Sequence, residues 1–459
     1  MPNVINELKK VFKGDVITER EALYPYAFDS SPIDDGEVVL PEFVVFPRDE
    51  KEVSEVVKFA NARGYTIIAR GAATCHSGGC KVRSANTIIM HFSRMDKILE
   101  IDTVNMTARV QPNVVLGDFQ REVEKIGLFF PPDPSNLVVS TIGGAIALSS
   151  GGPRTFKYGT MKDYVINLRV VDATGEIFET SANVAKNVTG YDLTRLFIGS
   201  EGELGLIVEA TLKLIPKPEC ALLSLCYFDS VLAAGEAVNK IIGASITPSV
   251  LDLLDKNTLT TIEKFNPCGL LVDYAAALLI EIDGNHASVE YEQEKLAQIL
   301  RKCGTKEIAS AKNQAECEKI WKARRSAFGS VAKLKPNVVT EDIVVPLSKI
   351  PDLIRSVEEL CAQYSITVCI MGHAGDGNIH PNFALDLDNE VEAKNFMLVK
   401  DKLFKLAISL GGTLSGEHGI GCEKRKYLDL ALGKQALAYM KKIKQLFDPK
   451  GVFNSGKMF

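Results

Sequence analysis

The chain has 459 residues, 46% of them hydrophobic and 24% charged, and its 53 basic and 58 acidic side chains leave a net charge of −5. That length calls for two or three cores rather than one, and the composition is that of a soluble globular protein. No Lys/Arg block marks a nucleic-acid surface, and no apolar run reaches the ~18–20 residues of a membrane span.

The opening MPNVINELKKVFKGD mixes charges and aliphatics and lacks the apolar stretch of a signal peptide. A cytoplasmic location without a membrane span is expected, with a peripheral membrane role through a partner left open. Ten cysteines form no CxxC pair, so neither zinc knuckles nor ferredoxin-type clusters are spelled out, and reduced, packed thiols are expected.

In chain order, FVVFP (43–47) reads as a buried strand, and Asp49 or Glu50 opens an amphipathic helix that Gly64 closes. Strand YTIIARG, a glycine-rich loop and strand NTIIMHF follow. ILEID and TARVQP are two β stretches around a polar turn, and LGDFQREVEKIG is a further helix. NLRVVDATGEIFET reads as a hairpin with its turn at D-A-T-G-E, and GLIVEATLKLIP as a strand halted by Pro216 and Pro218.

Those prolines mark a boundary between an expected domain 1–217 and a second α+β unit, 218–410. The second unit should hold helices near 231–243, 288–302 and 313–333 and strands LLIEI and ITVCIMG. Residues 411–459 form a C-terminal segment with a Gly-rich loop and the helix ALAYMKKIKQLF.

Three glycine-rich stretches, ARGAATCHSGG (69–79), STIGGAIALSSGG (140–152) and IGSEGELG (198–205), share the first domain. None is G-x-G-x-x-G after a strand or G-x-x-x-x-G-K-[ST], so Rossmann and P-loop readings are weak. Glycines still let backbone N–H groups converge on an anion. Three such loops in one α/β domain point to a dinucleotide.

RGAATCHSGG, PPDPSNLVVSTIGGAIALSSGG, YGTMKDYV and TGYDLTRLFIGSEGELGLI resemble the successive FAD-contacting segments of the vanillyl-alcohol-oxidase (PCMH-type) flavoproteins. More narrowly, the chain is similar to their FAD-linked D-lactate dehydrogenase and glycolate oxidase large-subunit branch, from about residue 40 to the terminal NSGKMF. The resemblance implies an α+β fold: a PCMH-type FAD-binding domain, an α+β cap (substrate) domain, and a C-terminal tail that returns to the FAD domain.

It also implies non-covalent FAD with its pyrophosphate on the loop Arg70, Gly71, Ala72, Ala73, Thr74, Cys75, His76, Ser77, Gly78 and Gly79. Pro132, Asp133, Ser140, Thr141, Gly143 and Gly144 would line the cofactor, with Ser150 and Gly151. So would Glu201, Gly202, Gly205 and Ile207 from the segment Gly199–Ile207, while Asn454 would sit beside the isoalloxazine. Ala73 departs from the branch, which has Gly there, in a loop where positive φ is costly for alanine. His76 is read as a polar loop residue, because relatives with a covalent flavin carry their histidine at the position of Thr74.

Two distant segments carry the remaining chemistry. In GHAGDGNIHPN (372–382) the D-G turn makes a hairpin tip flanked by His373 and His380, whose imidazoles can converge across the strands. SGEHGIG (415–421) sets Glu417 and His418 between glycines. Two His and one Glu are a common catalytic metal set, whereas His91 and His286 read as ordinary core or surface residues.

In the branch that the chain resembles, positions matching His373, His380 and Glu417 bind a divalent ion (Zn, Fe(II) or Mn), and the match to His418 is the general base. Arg324 in WKARRSAF matches the arginine that grips the substrate carboxylate, and Asn382 matches another substrate contact. A guanidinium fork suits a carboxylate.

The expected reaction is oxidation of a small D-2-hydroxy acid, D-lactate first. A metal lowers the hydroxyl pKa, His418 takes the proton near neutral pH, and the flavin accepts the hydride. Electrons would leave to a partner, an electron-transfer flavoprotein ahead of an iron–sulfur subunit. Glycolate and D-2-hydroxyglutarate are the alternative substrates. Thr340 stands where the hydroxyglutarate enzymes show Lys, which favours a monocarboxylate. From another class, a non-redox flavin-dependent synthase shares the expected fold.

Overall fold

A computed structural model describes residues 2–32 and 38–459 and groups the chain into two units. The first takes Met1–Gly151, Thr160–Lys217 and Glu417–Phe459, and the second takes Gly152–Gly159 and Pro218–Gly416. Two short stretches depart from the expected limits. Residues 152–159 belong with the second unit because Lys157 Nζ (2.5 Å) and Tyr158 Oη (2.7 Å) both bond the Asp283 carboxylate. Residues 411–416 stay there too, where Thr413 bridges Val344. Among the described residues, no helix is long and apolar enough to cross a membrane.

In the first unit, the helix Glu50–Arg63 begins where the Asp49 carboxylate accepts from the Lys51 and Glu52 amides, and Gly64 ends it at φ 72°. The caps fit the chemistry: a short acid satisfies orphan amides, and glycine enters the left-handed region freely. Val53, Val56, Val57 and Ala60 recur at helical spacing and are buried against the sheet.

That sheet orders its strands Asp15–Ile17, Phe43–Phe46, Thr87–His91 and Thr66–Arg70, the last three parallel. The C-terminal tail completes it. Ile67 N donates to Val452 O at 2.6 Å, and Asn454 N donates to Ile67 O at 2.8 Å.

A second, antiparallel sheet runs Ile98–Asp102, Thr107–Val110, Leu206–Lys213, Val165–Val171 and Ile177–Glu179. Its last pair is the hairpin expected around D-A-T-G-E. The stretch read as a glycine-rich loop at 140–152 contains a helix, Ile142–Leu148, capped by Thr141. Glycine serves close packing there: a Cβ on Gly143 would lie 2.7 Å from Pro112.

The second unit is built on one antiparallel sheet, in the order Glu307–Ser310, Cys220–Phe228, Ala276–Gly284, Val250–Asp255, Thr367–His373, Asn378–Leu385 and Asn337–Thr340. Ile343–Val344 also pairs with Asn378–Leu385. The central strands are buried along nearly their whole length, so their acidic residues are exceptional. The helices Val231–Gly243, His286–Lys302 and Gln314–Val331 match the expected positions within a few residues. All ten cysteines are free thiols.

Candidate active site: a flavin cradle and a histidine hairpin

In the first unit, strand Thr66–Arg70 delivers the chain into the loop 71–79. Gly71 is needed for contact, since a Cβ there would lie 2.4 Å from Thr141 Oγ1. Ala73 adopts φ 53°, so alanine occupies a left-handed position where the branch has glycine. Arg70 turns its guanidinium to the carbonyls of Phe28 (2.6 Å) and Pro25 (3.2 Å), fixing the segment beneath the loop. Cys75 Sγ and the Cys80 amide share the Asp29 carboxylate at 3.1 and 3.0 Å.

Asn454 is buried, also at positive φ (44°), and donates both amide hydrogens, to Gly79 O (3.1 Å) and Glu201 O (2.7 Å). Its Oδ1 has no hydrogen-bond partner among the described residues. A buried amide oxygen of this kind is costly unless a ligand N–H completes it. Small side chains along 71–79 and this waiting acceptor fit a flavin nucleotide. Gly205 also serves packing, since a Cβ would meet Val170 at 2.8 Å. Ile207 is paired in the sheet opposite Val170.

Glu201 also serves the protein itself. Its carboxylate accepts from the amides of Ile420 (2.6 Å) and Gly421 (2.8 Å). Burial pushes its pKa up against those two bonds. The side chain thus secures the loop that carries Glu417 and His418. Ser77 Oγ donates to His418 O at 3.0 Å, the His76 and His418 rings lie 5.2 Å apart, and His418 Nε2 is 3.8 Å from Glu417 Oε1.

In the second unit, the hairpin of Thr367–His373 and Asn378–Leu385 places the two histidines. Their relation is diagonal: His373 pairs with Asn378, and His380 with Met371. Diagonal residues share a face, and the buried rings stand 5.3 Å apart. Asp342, fully buried, lies 3.8 Å from His380 Nδ1. It accepts from Asn378 Nδ2 (2.7 Å), Ser415 Oγ (2.5 Å) and Gly416 N (3.0 Å).

Asp252, missed by the sequence reading, is the pivot of this half. It sits opposite His373 in register, with Oδ1 2.7 Å from His373 Nδ1 and Oδ2 2.6 Å from Arg324 Nε. Burial opposes its charge, yet His373 and Arg324 together hold its pKa below the usual carboxylate range. An ionised carboxylate only accepts, so the contact calls for a hydrogen on His373 Nδ1, the arrangement in which Nε2 is the atom that ligates a metal. The donor set therefore fits a metal.

Arg324 is buried, while its neighbour Arg325 is exposed and lies over the Trp321 ring. Asn382 is occupied. Both amide hydrogens go to Cys369 O (3.2 Å) and His380 O (2.8 Å), and Oδ1 accepts from Thr340 (2.7 Å). These bonds fix its amide beside the His380 backbone. The signal for Asp252 and Asp342 was legible: acids within the apolar runs VLDLLD and VVTEDIVV.

Residues 41–181 match the family described as FAD binding domain, and residues 217–458 match FAD linked oxidases, C-terminal domain. The chain is 42% identical to the glycolate oxidase subunit GlcD of Bacillus subtilis, over 95% of this chain and 92% of that protein. It is 32% identical to the D-lactate dehydrogenase of Anaerostipes hadrus, over 100% and 97%. The mitochondrial D-lactate dehydrogenase [cytochrome] of Arabidopsis thaliana is also 32% identical, over 99% and 80%.

Among solved structures, p-cresol methylhydroxylase superposes with a TM-score of 0.81 at 15% identity, over 100% of this chain and 96% of that one. An alkyldihydroxyacetonephosphate synthase gives 0.78 at 20%, over 100% and 85%. At these identities the likeness is one of fold, and a redox enzyme and a synthase share it. On the two family matches and these relatives, the chain belongs to the FAD-linked oxidases, with a PCMH-type FAD-binding domain and an FAD-oxidase C-terminal domain.

Proposed function

We propose that the protein is a dehydrogenase of small D-2-hydroxy monocarboxylates, with D-lactate as its first substrate, a divalent metal held by His373, His380 and Glu417, and His418 as general base. The observation that carries this reading is a pair of buried histidines 5.3 Å apart in a unit that also buries an arginine. Such a set pairs a Lewis-acid site for a hydroxyl with a fork for a carboxylate.

FAD, when bound, supplies the hydride acceptor. A divalent ion would supply Lewis acidity that brings the substrate hydroxyl within reach of a weak base. Arg324 binds the carboxylate through Nη2 and the second hydrogen of Nη1, since Asp252 takes Nε and Met371 Sδ accepts the first hydrogen of Nη1. His418 accepts the hydroxyl proton, a role suited to an imidazole near neutral pH. Asn382, whose amide is fixed on the His380 backbone carbonyl, supplies a further substrate contact. Electrons then leave to a partner protein, an electron-transfer flavoprotein ahead of an iron–sulfur subunit, a choice that rests on analogy.

A second reading, glycolate as substrate, is favoured by the glycolate oxidase subunit at 42% identity. Anaerobic titration of the flavin absorbance with D-lactate, L-lactate, glycolate and D-2-hydroxyglutarate, with and without chelator, tests both. Bleaching by D-lactate that chelator abolishes supports the first reading, and bleaching by glycolate alone the second. If no hydroxy acid bleaches the flavin, the dehydrogenase reading fails and a non-redox synthase takes its place.

A further inference from the structure

Asp252 is fully buried in a strand whose other members through Leu254 are aliphatic, and its two oxygens serve two different recognition groups. One holds His373 Nδ1 at 2.7 Å, the other Arg324 Nε at 2.6 Å. The backbone registers His373 directly opposite Asp252, so this carboxylate is braced by the sheet as well as by its partners.

From this geometry we infer that Asp252 is the positioning residue that sets the spacing between the hydroxyl-binding and the carboxylate-binding halves of the site, and so selects 2-hydroxy over 3-hydroxy acids. The inference rests on the function proposed above and deepens it. A carboxylate behind a ligating histidine fixes its tautomer and raises its basicity. A carboxylate behind an arginine fixes which edge of the fork faces outward. When one group does both, its two oxygens are a rigid ruler about 2.2 Å long, a span set by bond geometry. The metal ligand and the substrate-binding fork then cannot move independently. In a 2-hydroxy acid the hydroxyl and carboxylate sit on adjacent carbons; in a 3-hydroxy acid one more carbon separates them, and a fixed spacing rejects it.

Asp252→Asn keeps the shape but offers one acceptor and one NH2, so one of the two N–H donors must face another donor. The first readout is calorimetric titration of Zn2+ into chelator-stripped, FAD-loaded protein. The second is kcat and KM for D-lactate and for 3-hydroxybutyrate. For the variant, a Zn2+ Kd weakened about 10–100-fold or a D-lactate KM raised at least about tenfold is expected, with preference for the 2-hydroxy acid narrowed and FAD content unchanged. A variant that melts lower yet keeps Zn2+ Kd, KM and preference within about twofold of wild type would overturn the inference and leave Asp252 purely structural.

Should Asp252→Asn fail to fold, 15N-histidine spectra of the wild-type protein serve instead, with His373→Gln assigning the signal. An Nδ1-protonated His373 supports the inference and an Nε2-protonated one overturns it. Wild-type protein that takes up no Zn2+, Mn2+ or Fe2+ would instead remove the underlying reading of the site. That result is distinct from normal uptake by both wild type and variant, which sinks the role of Asp252 alone.

Discussion

The Glu201 carboxylate accepts the backbone amide of Ile420 at 2.6 Å, two residues beyond His418, and that of Gly421 at 2.8 Å. Two charge-assisted bonds on one buried acid pin the far end of the loop that carries the proposed base. In Glu201→Gln the amide can accept from one N–H but faces the other with its own NH2. The expected cost is about 1–3 kcal/mol of stability, together with a fall in kcat for the hydroxy acid. Chemical denaturation and steady-state kinetics check both, and wild-type values in each would show that the loop holds itself.

Glu203, two residues on, accepts from Met458 N at 2.7 Å, and burial pushes its pKa up to about 7. Unfolded, it titrates near 4.5, so between about 4.5 and 7 the folded state binds more protons. Stability from this group is therefore full below 4.5 and is lost as the pH rises through 7, by about 3 kcal/mol in all. Asp255, also pushed to about 7 by burial, acts in the same direction. Glu203→Gln is expected to flatten the fall in urea midpoint between pH 5 and 8. An unchanged slope would show that Glu203 is ionised throughout.

Ala73 holds φ 53°. A left-handed alanine costs roughly 1–2 kcal/mol, while glycine adds about 0.4–1 kcal/mol of unfolded-state entropy. Ala73→Gly is thus expected to be neutral or stabilising by up to about 1 kcal/mol. Ala73→Val, β-branched at positive φ, should destabilise by more than the glycine stabilises. A thermal melt of the pair decides it, and a glycine variant that melts well below wild type would sink the argument.

Asn454 keeps a buried Oδ1 without a partner among the described residues. If FAD completes it, Asn454→Asp, which preserves size but brings charge and loses the two donated bonds, should weaken FAD retention through gel filtration at least about tenfold, by the cost of an unmet buried polar group. Stoichiometric flavin in the variant would place the cofactor elsewhere.

Much of this architecture was legible because local chemistry and tertiary structure agree. Asp49 caps and Gly64 ends the same helix in both readings, and the prolines near 217 fall where the chain leaves the first unit. The failures are those of non-local chemistry. The helix Ile142–Leu148 hid behind its glycines, whose spacing answers to Pro112 far from any local rule. No local rule tells that the Asn382 amide is held by Cys369 O and His380 O. Asp252 is legible as an acid within an apolar run, but only its register opposite His373 reveals what it is for.

The tail that closes the first unit's sheet has a consequence for biosynthesis. Ile67 cannot acquire its bonds to Val452 and Asn454 until the residues between them have all been made. At roughly 5–20 residues per second, that strand waits on the order of 20–80 seconds for its neighbour. The second unit, complete at Gly416, is finished first. The usual order, in which the amino-terminal domain matures ahead of its downstream neighbour, is reversed, and the flavin unit ripens only after residues 452–454 have been made.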